Sequence, residues 1–184
     1  MRLFIGINLP KSTADRLDLL ISRLRTLANL KWSPAYNLHI TTKFIGEWPQ
    51  ERLEELTAKL GTVPARDRLD IQVRGLGWFP NPHHPRVFWA GVDGGLPIAE
   101  LARATDLACV ELGIPAETRP FSPHLTLARI KDPVPLRGLQ QAIAELDSVD
   151  FGSFTAPSYI LYLSKPGPAG SIYTPLAEFP LPLA

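Results

Sequence analysis

Apolar positions along this chain switch between two periods, and the switches mark out its elements. A short alternating run at the start, through Leu3, Ile5 and Ile7, predicts a first strand. A helical spacing then takes over at Leu17, Leu20, Ile21, Leu24 and Leu27, with Pro10 suited to the first turn. After a loop carrying Trp32 and Pro34, residues 38–45 read as a β-branched and aliphatic strand closed by Gly46. Pro49 opens a second helix with Leu53, Leu56 and Leu60, ended by Gly61. Strands are predicted over 69–79 and 86–92, joined by a Pro-rich turn that contains His83 and His84. A third helix carries Ile98, Leu101, Thr105, Ala108 and Leu112 on one face and stops at Gly113 and Pro115. Pro123 opens a strand over 124–130, and a fourth helix follows with Leu136, Leu139, Ile143 and Leu146. Strands near 150–155 and 159–164 and a last one near 171–179 complete the chain.

This layout contains a degenerate repeat, roughly 2–92 and 86–164, with the last strand outside it. Each unit runs strand, helix, strand, helix, then two strands. Gly6 precedes His39 by 33 positions, and Gly91 precedes His124 by 33. Equal spacing across an intervening helix points to duplication. The expected architecture is therefore one bilobal α+β domain over 1–184. Two antiparallel sheets, related by a pseudo-twofold axis and each covered by helices, would enclose a cleft.

Composition narrows the function classes. The chain has 184 residues, 45% hydrophobic and 20% charged, ordinary for a soluble globular protein, and no apolar run reaches a membrane span. The N-terminus reads as a strand rather than a signal peptide. The single Cys109 fits a reducing compartment, so a cytoplasmic location is expected. A net charge of +1 argues against coating long nucleic acid through a broad basic face, but leaves room for recognition of one phosphate or one RNA end.

The repeated strands carry the candidate chemistry. One reads His39-Ile40-Thr41-Thr42 and the other His124-Leu125-Thr126-Leu127. Strand period two puts each His and its Thr on one face, with Ile40 and Leu125 turned into a core. Two facing imidazoles with two hydroxyls suit acid–base chemistry on a phosphodiester. One His takes a proton from attacking water, the other protonates the departing alkoxide, and the Thr hydroxyls hold the non-bridging oxygens. The bland alternative is a pair of core histidines kept by duplication. His83 and His84 read as solvated turn residues. A catalytic zinc needs three protein ligands, and threonine is a poor one, so no metal is expected. Cys109 sits mid-helix as a small core residue, no Gly-x-Ser-x-Gly elbow is present, and no phosphate-binding glycine loop suggests ATP. Trp32, Phe44, Trp78 and Phe79 are candidates for a base-stacking platform, although aromatics in such runs usually belong to the core.

Read together, these residues resemble the two-histidine phosphoesterases, and within them the RNA 2′,3′-cyclic phosphodiesterases, also called 2′-5′ RNA ligase-like or LigT-like proteins. The likeness runs along essentially the whole chain. It rests on Arg2-Leu3-Phe4-Ile5-Gly6-Ile7, the two His-x-Thr blocks and Pro85-Arg86-Val87-Phe88-Trp89-Ala90-Gly91-Val92. It extends through Arg119-Pro120-Phe121-Ser122-Pro123 and Gly170-Ser171-Ile172-Tyr173. The resemblance implies hydrolysis of an RNA 2′,3′-cyclic phosphate to a 2′-phosphomonoester without metal or cofactor. His39 would be the proton donor to the leaving 3′-oxygen, His124 the proton acceptor that activates water, and Thr41 and Thr126 the phosphate ligands. It also implies ATP-independent 2′-5′ joining of RNA ends, an RNA-end partner, no membrane, and a monomer. Thr42 stands where the family commonly has Leu, a change expected to affect packing. The family commonly has Arg at position 129 as a phosphate cation. Strict alternation puts Arg129 opposite His124, so it reaches the cleft only if the strand bends, whereas Lys43 has the parity of His39. Two rivals remain open: a phosphodiesterase for another small diester, such as a 2′-5′ oligonucleotide or cyclic ADP-ribose phosphate, and an RNA-end binding module without turnover.

Overall fold

The two central strands explain the rest of the architecture. In a computed structural model that describes residues 1–65 and 67–184, β1 (Arg2–Asn8) and β5 (Val87–Asp93) each lie between two antiparallel neighbours. Residues 3–7 are buried throughout, as a strand covered on both faces requires. The four-stranded sheet has the order β3 (His39–Glu47), β1, β8 (Ser158–Gly167), β9 (Gly170–Pro180). The five-stranded sheet has the order β2 (Lys31–Trp32), β6 (His124–Arg129), β5, β4 (Asp70–Phe79), β7 (Asp150–Thr155). Setting the short β2 aside, the two sheets share one plan. A His-x-Thr strand flanks a central strand on one side, and two further strands extend the sheet on the other: β8 and β9 beyond β1, β4 and β7 beyond β5.

The helices are α1 (Lys11–Leu24), α2 (Leu53–Gly61), α3 (Gly95–Glu111) and α4 (Arg137–Ala144). Leu17, Leu20, Ile21 and Leu24 are the buried stripe of α1, and Ile98, Leu101, Thr105 and Ala108 belong to that of α3, as their spacing predicts. α1 packs against β7 of the five-stranded sheet, and α3 against β3 of the four-stranded one. Helices thus reach across, and one continuous core takes side chains from both sheets and all four helices.

Several boundaries differ from the sequence reading. Leu27 and Leu146 lie beyond their helices. After α1 the chain turns out, with the Leu27 N–H on the Leu24 carbonyl, and Trp32 Nε1 donates to the Ala28 carbonyl at 3.1 Å. The expected loop around Trp32 includes the short strand β2, paired to β6. Strands also cross between units. β4 belongs to the first unit in sequence but joins the second sheet, and β8, from the second unit, joins the first. Cys109 is fully buried in α3, and burial pushes its thiol up to about 11, so it stays protonated and unreactive.

Candidate active site

β3 and β6 run alongside each other where the sheets meet. Ser33 secures the second of them, its N–H donating to the Leu127 carbonyl at 2.8 Å and its hydroxyl to the Thr126 carbonyl at 2.9 Å. His39, Thr41, His124 and Thr126 are half-buried, while Ile40 and Leu125 are fully buried. The period-two expectation therefore holds through both motifs.

Each imidazole is pinned in the same way. His39 Nδ1 lies 2.8 Å from the Asn37 carbonyl, and His124 Nδ1 lies 2.8 Å from the Ser122 carbonyl. A carbonyl only accepts, so both rings carry a hydrogen on Nδ1 and leave Nε2 for chemistry. His39 Nε2 is 2.9 Å from Thr41 Oγ1. The Asn37 carbonyl comes from a 3-10 turn, Ala35–Asn37, tied to β9 by a bond from Asn37 Nδ2 to the Ser171 carbonyl at 2.7 Å. These anchoring carbonyls escaped the sequence reading, because a backbone acceptor leaves no mark in residue identity.

Aromatic rings wall the histidines. Phe4 packs on His39 with ring centroids 4.5 Å apart, and Tyr173 meets it edge-on at 5.0 Å. Phe4, Ile160, Tyr162 and Tyr173 form a small apolar cluster apart from the main core. On the other side Phe79 meets His124 edge-on at 5.1 Å and leans on Trp89 at 5.2 Å. Of the four aromatics singled out in the sequence, Phe79 and the 59%-exposed Phe44 lie on the cleft side. Trp32 and Trp78 pack on the buried Phe88. Burial lowers the His39 pKa. The Asn37 carbonyl opposes that shift, and the charges of Arg129 and His124 add to it. His124 and Arg129 are therefore within electrostatic reach of His39.

A β-bulge at the same place in both motifs decides which cation joins them. Ile5 pairs with Lys43 and Gly6 with Thr41, which leaves Thr42 as an extra residue. Phe88 pairs with Ala128 and Trp89 with Thr126, which leaves Leu127 as an extra residue. Each bulge inverts the alternation just after the Thr. Arg129 thereby returns to the face of His124, and Phe44 to the face of His39. Lys43, which plain alternation puts beside His39, is instead buried, donating to Asp106 at 2.6 Å and to the Pro115 carbonyl at 2.8 Å. Thr42 is buried too, and its hydroxyl donates to the Ile5 carbonyl at 3.2 Å, a packing role as expected.

Glycine at the head of each unit is needed for close approach. A Cβ at Gly6 would lie 2.9 Å from the Ile40 carbonyl oxygen and 3.5 Å from His39 Cδ2, and one at Gly91 would lie 2.3 Å from the Arg74 carbonyl oxygen. The equal spacing does not give equal pairing, however. His124 sits opposite Gly91, while His39 sits opposite Asn8. Elsewhere, His83 and His84 are exposed, with both their N–H groups on Asn81 Oδ1. Among the described residues no three His, Cys, Asp or Glu side chains gather into a metal-holding set, and no helix is long and apolar enough to cross a membrane.

The chain is similar to known phosphoesterases in both sequence and fold. The family described as LigT like Phosphoesterase matches residues 7–89 and 93–173. The chain belongs to the LigT-like phosphoesterase family. As a member it is an enzyme, a phosphoric diester hydrolase. A relative from Methanothermobacter thermautotrophicus, named RNA 2′,3′-cyclic phosphodiesterase, is 33% identical over 98% of this chain and 99% of its own. One of the same name from Thermus thermophilus is 35% identical over 98% of this chain and 90% of its own. A crystal structure of a Thermus thermophilus protein superposes with a TM-score of 0.82 at 32% identity, covering 98% of both chains. The fold is shared with E. coli LigT as well, with a TM-score of 0.78 at 24% identity over 98% of this chain and 97% of that one. LigT-like membership thus accounts for the α+β architecture of two antiparallel sheets.

Proposed function

We propose that this LigT-like protein hydrolyses RNA 2′,3′-cyclic phosphodiesters to 2′-phosphomonoesters without a metal, acting as a cytoplasmic monomer on RNA ends. The single observation that carries the reading is the matched pair of half-buried imidazoles. Each is held through Nδ1 by the carbonyl two residues upstream, and each is followed by a Thr on the same face. Water attacks phosphorus while His124 Nε2 takes its proton. The bond to the 3′-oxygen breaks, and His39 delivers its Nε2 proton to that oxygen. A 3′-hydroxyl and a 2′-phosphate result, and the two rings exchange their protons with solvent before the next turnover. Thr41, Thr126 and Arg129 hold the non-bridging oxygens. Strain in the five-membered ring supplies part of the driving force.

Acting as the acid requires a protonated His39, yet burial, Arg129 and His124 all disfavour its charge in the free protein. The phosphodiester anion supplies the missing counter-charge, so binding prepares the acid. The test is incubation of metal-stripped protein with short RNA ending in a 2′,3′-cyclic phosphate, with 2′- and 3′-phosphate products resolved. The expected result is 2′-phosphate alone, unaffected by EDTA and abolished by His39→Ala or His124→Ala with the fold intact by circular dichroism. EDTA inhibition reversed by zinc, or activity surviving either substitution, would overturn the mechanism.

A further inference from the structure

Arg129 borders a second feature. Beside it a hollow of about 350 Å³ lies between residues 29–31 and 129–134. Three cations, Lys31, Arg129 and Lys131, line it against one acid, Asp132, in a chain whose net charge is only +1. The walls are built rather than loose. Arg86 donates from Nη1 to the Lys131 carbonyl at 3.1 Å and accepts the Ile130 N–H on its own carbonyl at 2.9 Å. Ile130 beneath is only 7% exposed.

The placement of the cations breaks a local rule. Lys31 and Arg129 sit directly opposite each other across β2 and β6, and like charges in that position destabilise a sheet. Among the described residues no carboxylate lies within ion-pair distance of Lys31, Arg129 or Lys131. A local cost with no partner in the fold is a mark of a site made for something outside it. The missing partner is an anion. Its position follows from Arg129, which lines the hollow and whose charge also reaches His39. A strand with its terminal phosphate between the histidines would bring its next phosphate past Arg129.

We propose that this hollow binds the phosphodiester joining the terminal nucleotide to its upstream neighbour, with Lys31 and Lys131 as the contacting cations. The natural substrate is then an RNA end of two or more nucleotides rather than a mononucleoside cyclic phosphate. This rests on the phosphodiesterase reading and adds a substrate-length preference to it.

The test compares the wild type with the Lys31→Ala, Lys131→Ala double variant on uridine 2′,3′-cyclic phosphate and on a UpU dinucleotide ending in the same group. Arg129 is left untouched because it serves the cleft. The expected wild-type kcat/KM is at least about tenfold higher for the dinucleotide, the worth of one charge-assisted contact. The double variant keeps the mononucleotide rate and loses most of that advantage. Its salt dependence on the dinucleotide flattens by roughly 0.7 in log–log slope, the value for one single-strand phosphate. A wild type without length preference, or a double variant that changes both substrates equally or neither, overturns the proposal. Fluorescence anisotropy with labelled UpUpU carrying a 3′-phosphate separates the two readings. If neither substrate turns over but the double variant binds this probe more weakly, the phosphodiesterase reading falls and the hollow stands. If both substrates turn over normally and the double variant binds the probe as tightly as the wild type, the hollow falls and the phosphodiesterase reading stands.

Discussion

At the scale of single residues, the proposed chemistry depends on where two ring hydrogens are held. The carbonyls of Asn37 and Ser122 claim Nδ1 of His39 and His124, so each Nε2 is left free of the backbone in a set orientation. Arg129 is the residue whose removal reports most directly on this balance. Its guanidinium lowers the His39 pKa, so Arg129→Gln should shift the His39 titration to higher pH, read from imidazole resonances by NMR. A midpoint that stays put or moves down would show that Arg129 does not disfavour the charged ring. Rate data test the same balance. With His39 needed protonated and His124 neutral, kcat/KM should pass through a maximum with pH. The limb set by His39 reports, in kcat/KM, the free protein, where its pKa lies below the ordinary value. The same limb in kcat should lie at higher pH, because bound phosphate restores the charge. Coincident limbs, or a flat profile from about pH 5 to 9 around the ordinary imidazole range, would refute that coupling. His39, Thr41, His124 and Thr126 were readable in the sequence because a period-two pattern survives any detail of pairing.

At the scale of elements, that pattern fails one residue beyond each Thr, and the failure is a bulge. Lys43 and Arg129 exchange expected faces: the lysine goes to the core and the arginine to the cleft. No propensity rule signals this, since the extra residues Thr42 and Leu127 both have ordinary strand character. The buried Lys43 has its own task. It joins β3 to Asp106 of α3 and to the Pro115 carbonyl, and Asp106 also accepts the Glu117 N–H at 3.1 Å. The strand of His39 is thereby tied to the segment that leads to His124. Asp106→Ala leaves a buried ammonium with one carbonyl partner, and should cost roughly 3 kcal/mol of stability in urea unfolding. A loss below about 1 kcal/mol would put the pair in the class of weak surface bridges.

At the scale of the whole molecule, the repeat legible in the sequence is interleaved in space. β1 and β3 need β8 and β9 from the other end of the chain to complete their sheet, and β5 and β6 need β4 and β7. Fragments 1–93 and 94–184 should therefore each lack cooperative unfolding and near-ultraviolet circular dichroism when separate. A fragment with a sharp thermal transition of its own would show that one lobe is independent. Hydrophobic spacing, the paired His-x-Thr motifs and the spacing of 33 residues were enough to place the elements other than the short β2, to suggest two sheets and to put each His on one face with its Thr. The elements and the shared faces follow from local periodicity, which chain neighbours alone impose, and the two sheets from the repeat. Only the tertiary structure decided that Arg129 rather than Lys43 reaches the cleft and which carbonyls orient the rings. It alone also set Lys31 opposite Arg129 and divided the strands between the sheets. Those outcomes turn on register and backbone contacts between segments distant in the chain, and energies of that kind belong to the pairing of segments rather than to the residues of either one.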